Sequence, residues 1–293
     1  MSFCVRSGDF LLERIAGFVF NVSFAEGKDP PMNNKKKMHV HIPYPMLLER
    51  FEEVLRDRIN PEIYMDGECL VSAEAADLKE IQSGLAVEGL ELTIHGPYAE
   101  LNPGSLDERV RLSTVERYHL AFRAASYLKP KGMVLHGGYS ERKFKGDIQG
   151  WLDSSLKTWP QFIREAERLS MGIAVENIFD KDPLALRSLM EKIPSPRFGV
   201  CIDSGHLNVF SAVPMQEWFK SLGSYVAEVH MHDNKGAGDE HLPIGEGEID
   251  FRLFLGYISA YCPVPIFTIE PHGEEMLKRG IKAAEELLRE YQQ

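Results

Sequence analysis

The chain has 293 residues, 44% of them apolar, and this fits one barrel domain of about 250 residues plus a tail better than two small domains. A formal net charge of −11 repels polyanions on average, so a nucleic-acid partner would need a local basic patch working against that field. Cys4, Cys69, Cys201 and Cys262 contain no Cys-x-x-Cys pair, which disfavours a cysteine zinc or redox motif, and four scattered thiols suit a reducing compartment.

No apolar run reaches about 18 residues. The apolar stretch 10–20 (FLLERIAGFVF) is interrupted by Glu13 and Arg14, with no clear cleavage site after it. Neither a membrane span nor a signal peptide is expected, and a cytoplasmic location is. Residues 1–37 read as an N-terminal extension ending in the linker-like KDPPMNNKKK, whose Lys35–Lys37 run suits a solvated segment.

From Met38 onward β-rich segments alternate with amphipathic stretches. Strands are predicted at 38–42 (MHVHI), 62–66 (EIYMD), 91–95 (ELTIH), 132–136 (GMVLH), 172–176 (GIAVE), 198–203 (FGVCID), 226–232 (VAEVHMH) and 265–270 (PIFTIE). Apolar residues at three- and four-residue steps, as among Leu106, Val110, Leu112 and Val115, predict helices near 46–58, 73–88, 106–128, 151–170, 183–192, 214–222, 250–261 and 274–291. Eight such units over 38–293 predict an α/β fold, a closed (β/α)8 TIM barrel. The alternative is an open doubly wound sheet. It would usually carry a Gly-rich turn after its first strand, and HIPYP is not one.

Active sites of such barrels form at the carboxyl ends of the strands. Here the third strand ends in His95, the fourth in His136, the fifth in Glu176-Asn177 and the sixth in Asp203-Ser-Gly-His206. The seventh ends in His230-Met-His232-Asp233-Asn234, a following loop carries Asp239 and His241, and the eighth ends in Glu270. A lone His or carboxylate at a strand end is ordinarily a structural hydrogen-bonder or a helix cap. Consecutive strands that all stop on ionisable residues are different, because buried charges converging on one mouth repel unless a cation sits among them. Mixed imidazole and carboxylate donors suit Zn, Mn, Co or Fe better than Ca. His230 and His232 share a strand face, so one can ligate while the other stands behind it or against a substrate. His119 and His272 are expected on a helix surface and in a loop, and His39 and His41 in core or rim packing. Arg142 and Lys143, in the loop after the fourth strand, are candidate grips for a phosphate or carboxylate, or plain solvated residues.

The motifs HGPY (95–98), VLHGG (134–138), ENIF (176–179), DSGH (203–206), HMHDN (230–234), DEHLPIGEGEID (239–250) and IEP (269–271) resemble the xylose-isomerase-like TIM-barrel superfamily. The resemblance covers roughly 38–293. That superfamily holds sugar and sugar-phosphate isomerases and epimerases, and also the endonuclease IV type of apurinic endonuclease. The isomerase branch implies one Mn, Mg, Co or Zn ion on Glu176, Asp203, His230 and Glu270. His206 would contact a carbohydrate-like small molecule, with Tyr98, Asn177 and His232 beside it. Glu176 and Glu270 would exchange a proton next to a carbonyl as catalytic base and acid; epimerisation needs both, whereas aldose–ketose isomerisation can use one. The endonuclease branch implies two or three zinc ions, with His95, His136, His206, Asp239 and His241 as further ligands. Asp250 stands where the endonucleases usually have glycine, which together with the net charge disfavours the DNA reading. A barrel that keeps the metal for binding alone is a third reading. Such barrels often pair, which leaves a homo-oligomer open.

Overall fold

The strands hydrogen-bond in chain order, all parallel, and close on themselves: β1 (Met38–Pro43), β2 (Asn60–Tyr64), β3 (Thr93–His95), β4 (Gly132–His136), β5 (Gly172–Glu176), β6 (Phe198–Asp203), β7 (Val226–Met231) and β8 (Ile266–Ile269). The seam joins first to last, with Met38, His39 and Val40 in register with Phe267, Thr268 and Ile269. This is the TIM barrel that the alternation predicts. The computed structural model describes residues 38–270 and 273–291. The predicted extension 1–37 and the loop residue His272 lie outside them. Among the described residues no helix is long and apolar enough to cross a membrane.

β4, β5 and β6 have the predicted bounds. β2 starts two residues earlier than predicted, because Pro61, Glu62 and Ile63 are buried in the sheet. The predicted helix 46–58 is two helices, Tyr44–Glu49 and Phe51–Arg56, separated where Arg50 leaves helical geometry at φ −122° and ψ 20°. The prediction for 73–88 corresponds to the single helix Ala75–Val87. Three short helices are unpredicted: Gly67–Ser72, capped by Asp66, Glu141–Phe144, and Ser204–Phe210 directly after β6.

Apolar side chains fill the space between sheet and helices, with Trp151, Trp159, Trp218 and Phe254 fully buried there. The barrel interior divides in two. On the β4–β6 side Val134, Ala174 and Cys201 form a small apolar cluster of their own. On the other side the buried inward residues are His39, Glu62, Thr93, Glu228 and Thr268. Barrel interiors are ordinarily packed with branched aliphatic residues. A polar half-layer directly beneath the mouth therefore marks where the fold departs from pure packing.

Candidate metal centre

Each strand delivers a polar side chain to the carboxyl end of the barrel. Glu176 is the hub. Its Oε2 lies 3.2 Å from Nε2 of both His95 and His136, and its Oε1 lies 3.2 Å from His206 Nδ1 and 3.6 Å from His230 Nδ1. Across the mouth, Glu270 Oε1 is 3.1 Å from the same His230 nitrogen. Asp203 is fully buried, and both its carboxylate oxygens lie within 3.1 Å of His232 Nε2. Its Oδ1 also accepts the His206 amide at 2.6 Å, so it caps the Ser204–Phe210 helix that aims His206 at the site.

A third grouping stands on the loop after β7. Asp239 Oδ2 is 3.2 Å from His241 Nε2 and 3.4 Å from His206 Nε2. His232 stacks on His241 with ring centroids 3.7 Å apart. The loop is shaped by Asp233, whose carboxylate accepts four backbone amides, from Asn234, Gly245, Gly247 and Ile249, at 2.9–3.1 Å. Asp250 caps the helix Phe251–Tyr261 by accepting the Leu253 amide.

Three expectations change. His41, expected in packing, lines the site, with Nδ1 3.2 Å from an oxygen of both Glu62 and Glu270. His39 does pack in the interior, fully buried against Thr93. Asn177, expected at the substrate, is buried, and its amide pairs with the backbone N–H and C=O of Asp203. It ties β5 to β6 instead. Arg142 and Lys143 are exposed on the helix Glu141–Phe144; Lys143 lines a separate cleft with Asn102, Ser105 and Leu106. Tyr98 stacks on His136 at 4.5 Å and remains 42% exposed, in a position to meet a ligand entering the mouth. His119 is on an exposed helix face, as expected.

Glu62 and Glu228 went unread, although a signal existed. With a period of two, Glu62 shares a strand face with Tyr64, and Glu228 shares one with His230.

The closed barrel agrees with the family model that the sequence matches over residues 62–291, described as a xylose isomerase-like TIM barrel. The chain belongs to this family. Family relatives include the uncharacterized protein MJ1311 of Methanocaldococcus jannaschii, 31% identical over 69% of this chain and 70% of the relative. A probable endonuclease 4 of Mycobacterium leprae is 25% identical over 68% of this chain and 81% of its own length. Among solved structures, a D-tagatose 3-epimerase-like protein superposes with a TM-score of 0.74 at 26% identity, covering 87% of this chain and 98% of that one.

The family cluster has the electrostatics of a cation site. Burial alone would push Glu176 and Glu270 up, but the imidazole of His230 and its neighbours hold both carboxyls well below the usual range. Burial opposes the protonation of His41, yet Glu270 and Glu62 outweigh it and raise that imidazole to about 9. His206 and His230 are raised well above the usual range in the same way, burial again being outweighed, by Asp203, Asp239 and Glu176 at the former and by Cys201, Glu62, Glu270 and Glu176 at the latter. Carboxyls held down and imidazoles held up around one mouth are the pattern expected where a divalent cation could sit. The donor atoms fit such an ion. His95–His136–Glu176, His95–His230–Glu270 and His206–His232–Asp239–His241 each place one nitrogen or oxygen per residue within 4.8 Å of the others. His230 carries the sharpest sign: it is fully buried, yet neither ring nitrogen makes a hydrogen bond of good geometry. Buried imidazole nitrogens without hydrogen bonds are costly unless they ligate something.

Proposed function

We propose that the chain is a divalent-metal-dependent isomerase or epimerase of a carbohydrate-like small molecule, transferring a proton next to a carbonyl. The observation that supports this reading is the pair Glu176 and Glu270, buried carboxylates on β5 and just past β8 that face one His230 nitrogen from two sides, at 3.6 and 3.1 Å. In this reading Glu176, Asp203, His230 and Glu270 hold Mn, Mg, Co or Zn. The bound ion would polarise the substrate's carbonyl and neighbouring hydroxyl oxygens. Glu176 and Glu270 then serve as base and acid on opposite sides of the reacting carbon. His206, aimed by the Asp203 cap and tied to the Asn177 carbonyl at 2.9 Å, orients substrate hydroxyls. Tyr98 covers the mouth. The D-tagatose 3-epimerase-like structure is consistent with a carbohydrate substrate.

The test is exchange of a substrate C–H proton with deuterated water, followed by NMR over a panel of ketoses, aldoses and their phosphates under each metal. Glu176→Gln and Glu270→Gln should each slow exchange about 10²–10⁴-fold if both faces are used. Absence of exchange for every sugar under every metal defeats the reading.

A second reading is a zinc phosphodiesterase of the endonuclease type. It is favoured by the His206–Asp239–His241 grouping, a further donor set that proton transfer does not require, and by the similarity to an endonuclease 4. It expects two or three zinc ions per chain and cleavage of an abasic duplex by zinc-loaded protein. One ion per chain, or no nicking, counts against it.

A further inference from the structure

Below the mouth, His41 and Glu62 form a closed ring with two residues of the proposed metal centre. Glu62 Oε1 meets His41 Nδ1 at 3.2 Å, His41 Nδ1 meets Glu270 Oε1 at 3.2 Å, Glu270 Oε1 meets His230 Nδ1 at 3.1 Å, and His230 Nε2 returns to Glu62 Oε2 at 3.4 Å. Glu62 has no solvent exposure and is anchored from a third strand by the Thr93 hydroxyl at 3.3 Å, which itself meets His39. Such a carboxylate has no packing role that a Leu could not fill better, and its burial is costly.

We propose that Glu62 and His41 are positioning residues for the metal. Glu62 Oε2, 3.4 Å from Nε2 of His230, stands behind that ring and orients it so that Nδ1 faces Glu176 and Glu270. His41 holds Glu270 by the same Oε1 that faces His230, so that this carboxylate keeps one rotamer. A carboxylate behind a ligating imidazole both orients the ring and makes it a better donor. The proposed ligands come from β5 to β8, and β1 and β2 contribute their support. The inference rests on the metal reading of His230 and Glu270.

The test is titration of metal-free wild type, Glu62→Gln and His41→Gln with cobalt(II). Visible absorption is followed for affinity and coordination, and the bound ions are counted by mass spectrometry. Both variants should bind cobalt about 10–100-fold more weakly, with an altered absorption band and an unchanged final ion count. Wild-type affinity and spectrum in the variants overturn the inference. So does an ion count that falls by one, which would make His41 and Glu62 ligands of an ion of their own. Should Glu62→Gln fail to fold, His41→Gln, at the partly open rim, carries the same expectation alone. A wild-type protein that takes up no ion overturns the metal reading itself, which separates the two failures.

Discussion

Asp180 shows how much a single buried group can weigh. Burial raises its carboxyl from 3.8 to about 7, outweighing the backbone amides of Ile178, at 3.2 Å, and of Asp180 itself. The folded chain therefore keeps this proton across a window, from about 4 to about 7, in which the unfolded chain releases it. Folding binds a proton there, and stability falls as pH rises through that window. Asp180→Asn, which keeps the acceptor and removes the charge, should gain about 2–4 kcal/mol at pH 8 and almost nothing at pH 4. Chemical denaturation at the two pH values checks this; an equal gain at both would show that charge is not the cause. At this scale the site was partly legible. His95, His136, Glu176, Asp203, His230 and Glu270 stand out because each ends an apolar run. Glu62 and Glu228 sit inside their strands, where alternation makes a polar residue look solvent-facing, and a closed barrel turns that face inward. Asn177 misled because an amide beside a ligand suits a substrate and a neighbouring strand equally well.

At the scale of elements, the loop 234–250 depends on Asp233. Four amides on one carboxylate hold its two ends together, and a Cβ on Gly247 would lie 2.3 Å from Asp233 Oδ1, so the turn closes only around a glycine. Asp233→Ala should leave the barrel folded and cost about 2–4 kcal/mol, through amides left without their charged acceptor. It should also displace Asp239 and His241, and so weaken binding at His206–Asp239–His241 while sparing the ligands on β5–β8. Limited proteolysis within 234–250 and metal titration read both effects, and an unaltered cleavage pattern would refute the role. The strands β4–β6 were legible to the residue because buried parallel strands are continuous apolar runs. The helix break at Arg50 was not, since apolar spacing runs through a break that backbone geometry alone creates. The helix Ser204–Phe210 was missed because its motif was read as ligands, while Asp203 is also its cap.

For the whole molecule, the alternation of eight strands and helices sufficed to identify a barrel, and closure follows from the number of units. That half of the interior is polar becomes readable only once the barrel is closed, because closure decides which of the alternate faces points in. Removing the metal should be felt throughout. An ion held at about a thousand times its dissociation constant adds about 4 kcal/mol. At 2–4 °C per kcal/mol for a chain of this size, chelation should lower the melting temperature by on the order of 10 °C, restored by adding metal back. An unchanged melting curve after verified metal removal would contradict this. The seam between β1 and β8 has a consequence for biosynthesis. Glu270 follows the last strand, and the first strand has no partner on its open side until that strand arrives. During translation the early strands must wait with one edge unpaired, and the complete donor set exists only once Glu270 has been made. On the proposed metal reading, loading therefore follows barrel closure rather than guiding it, and a nascent chain that stops short of β8 has no finished site with which to capture an ion.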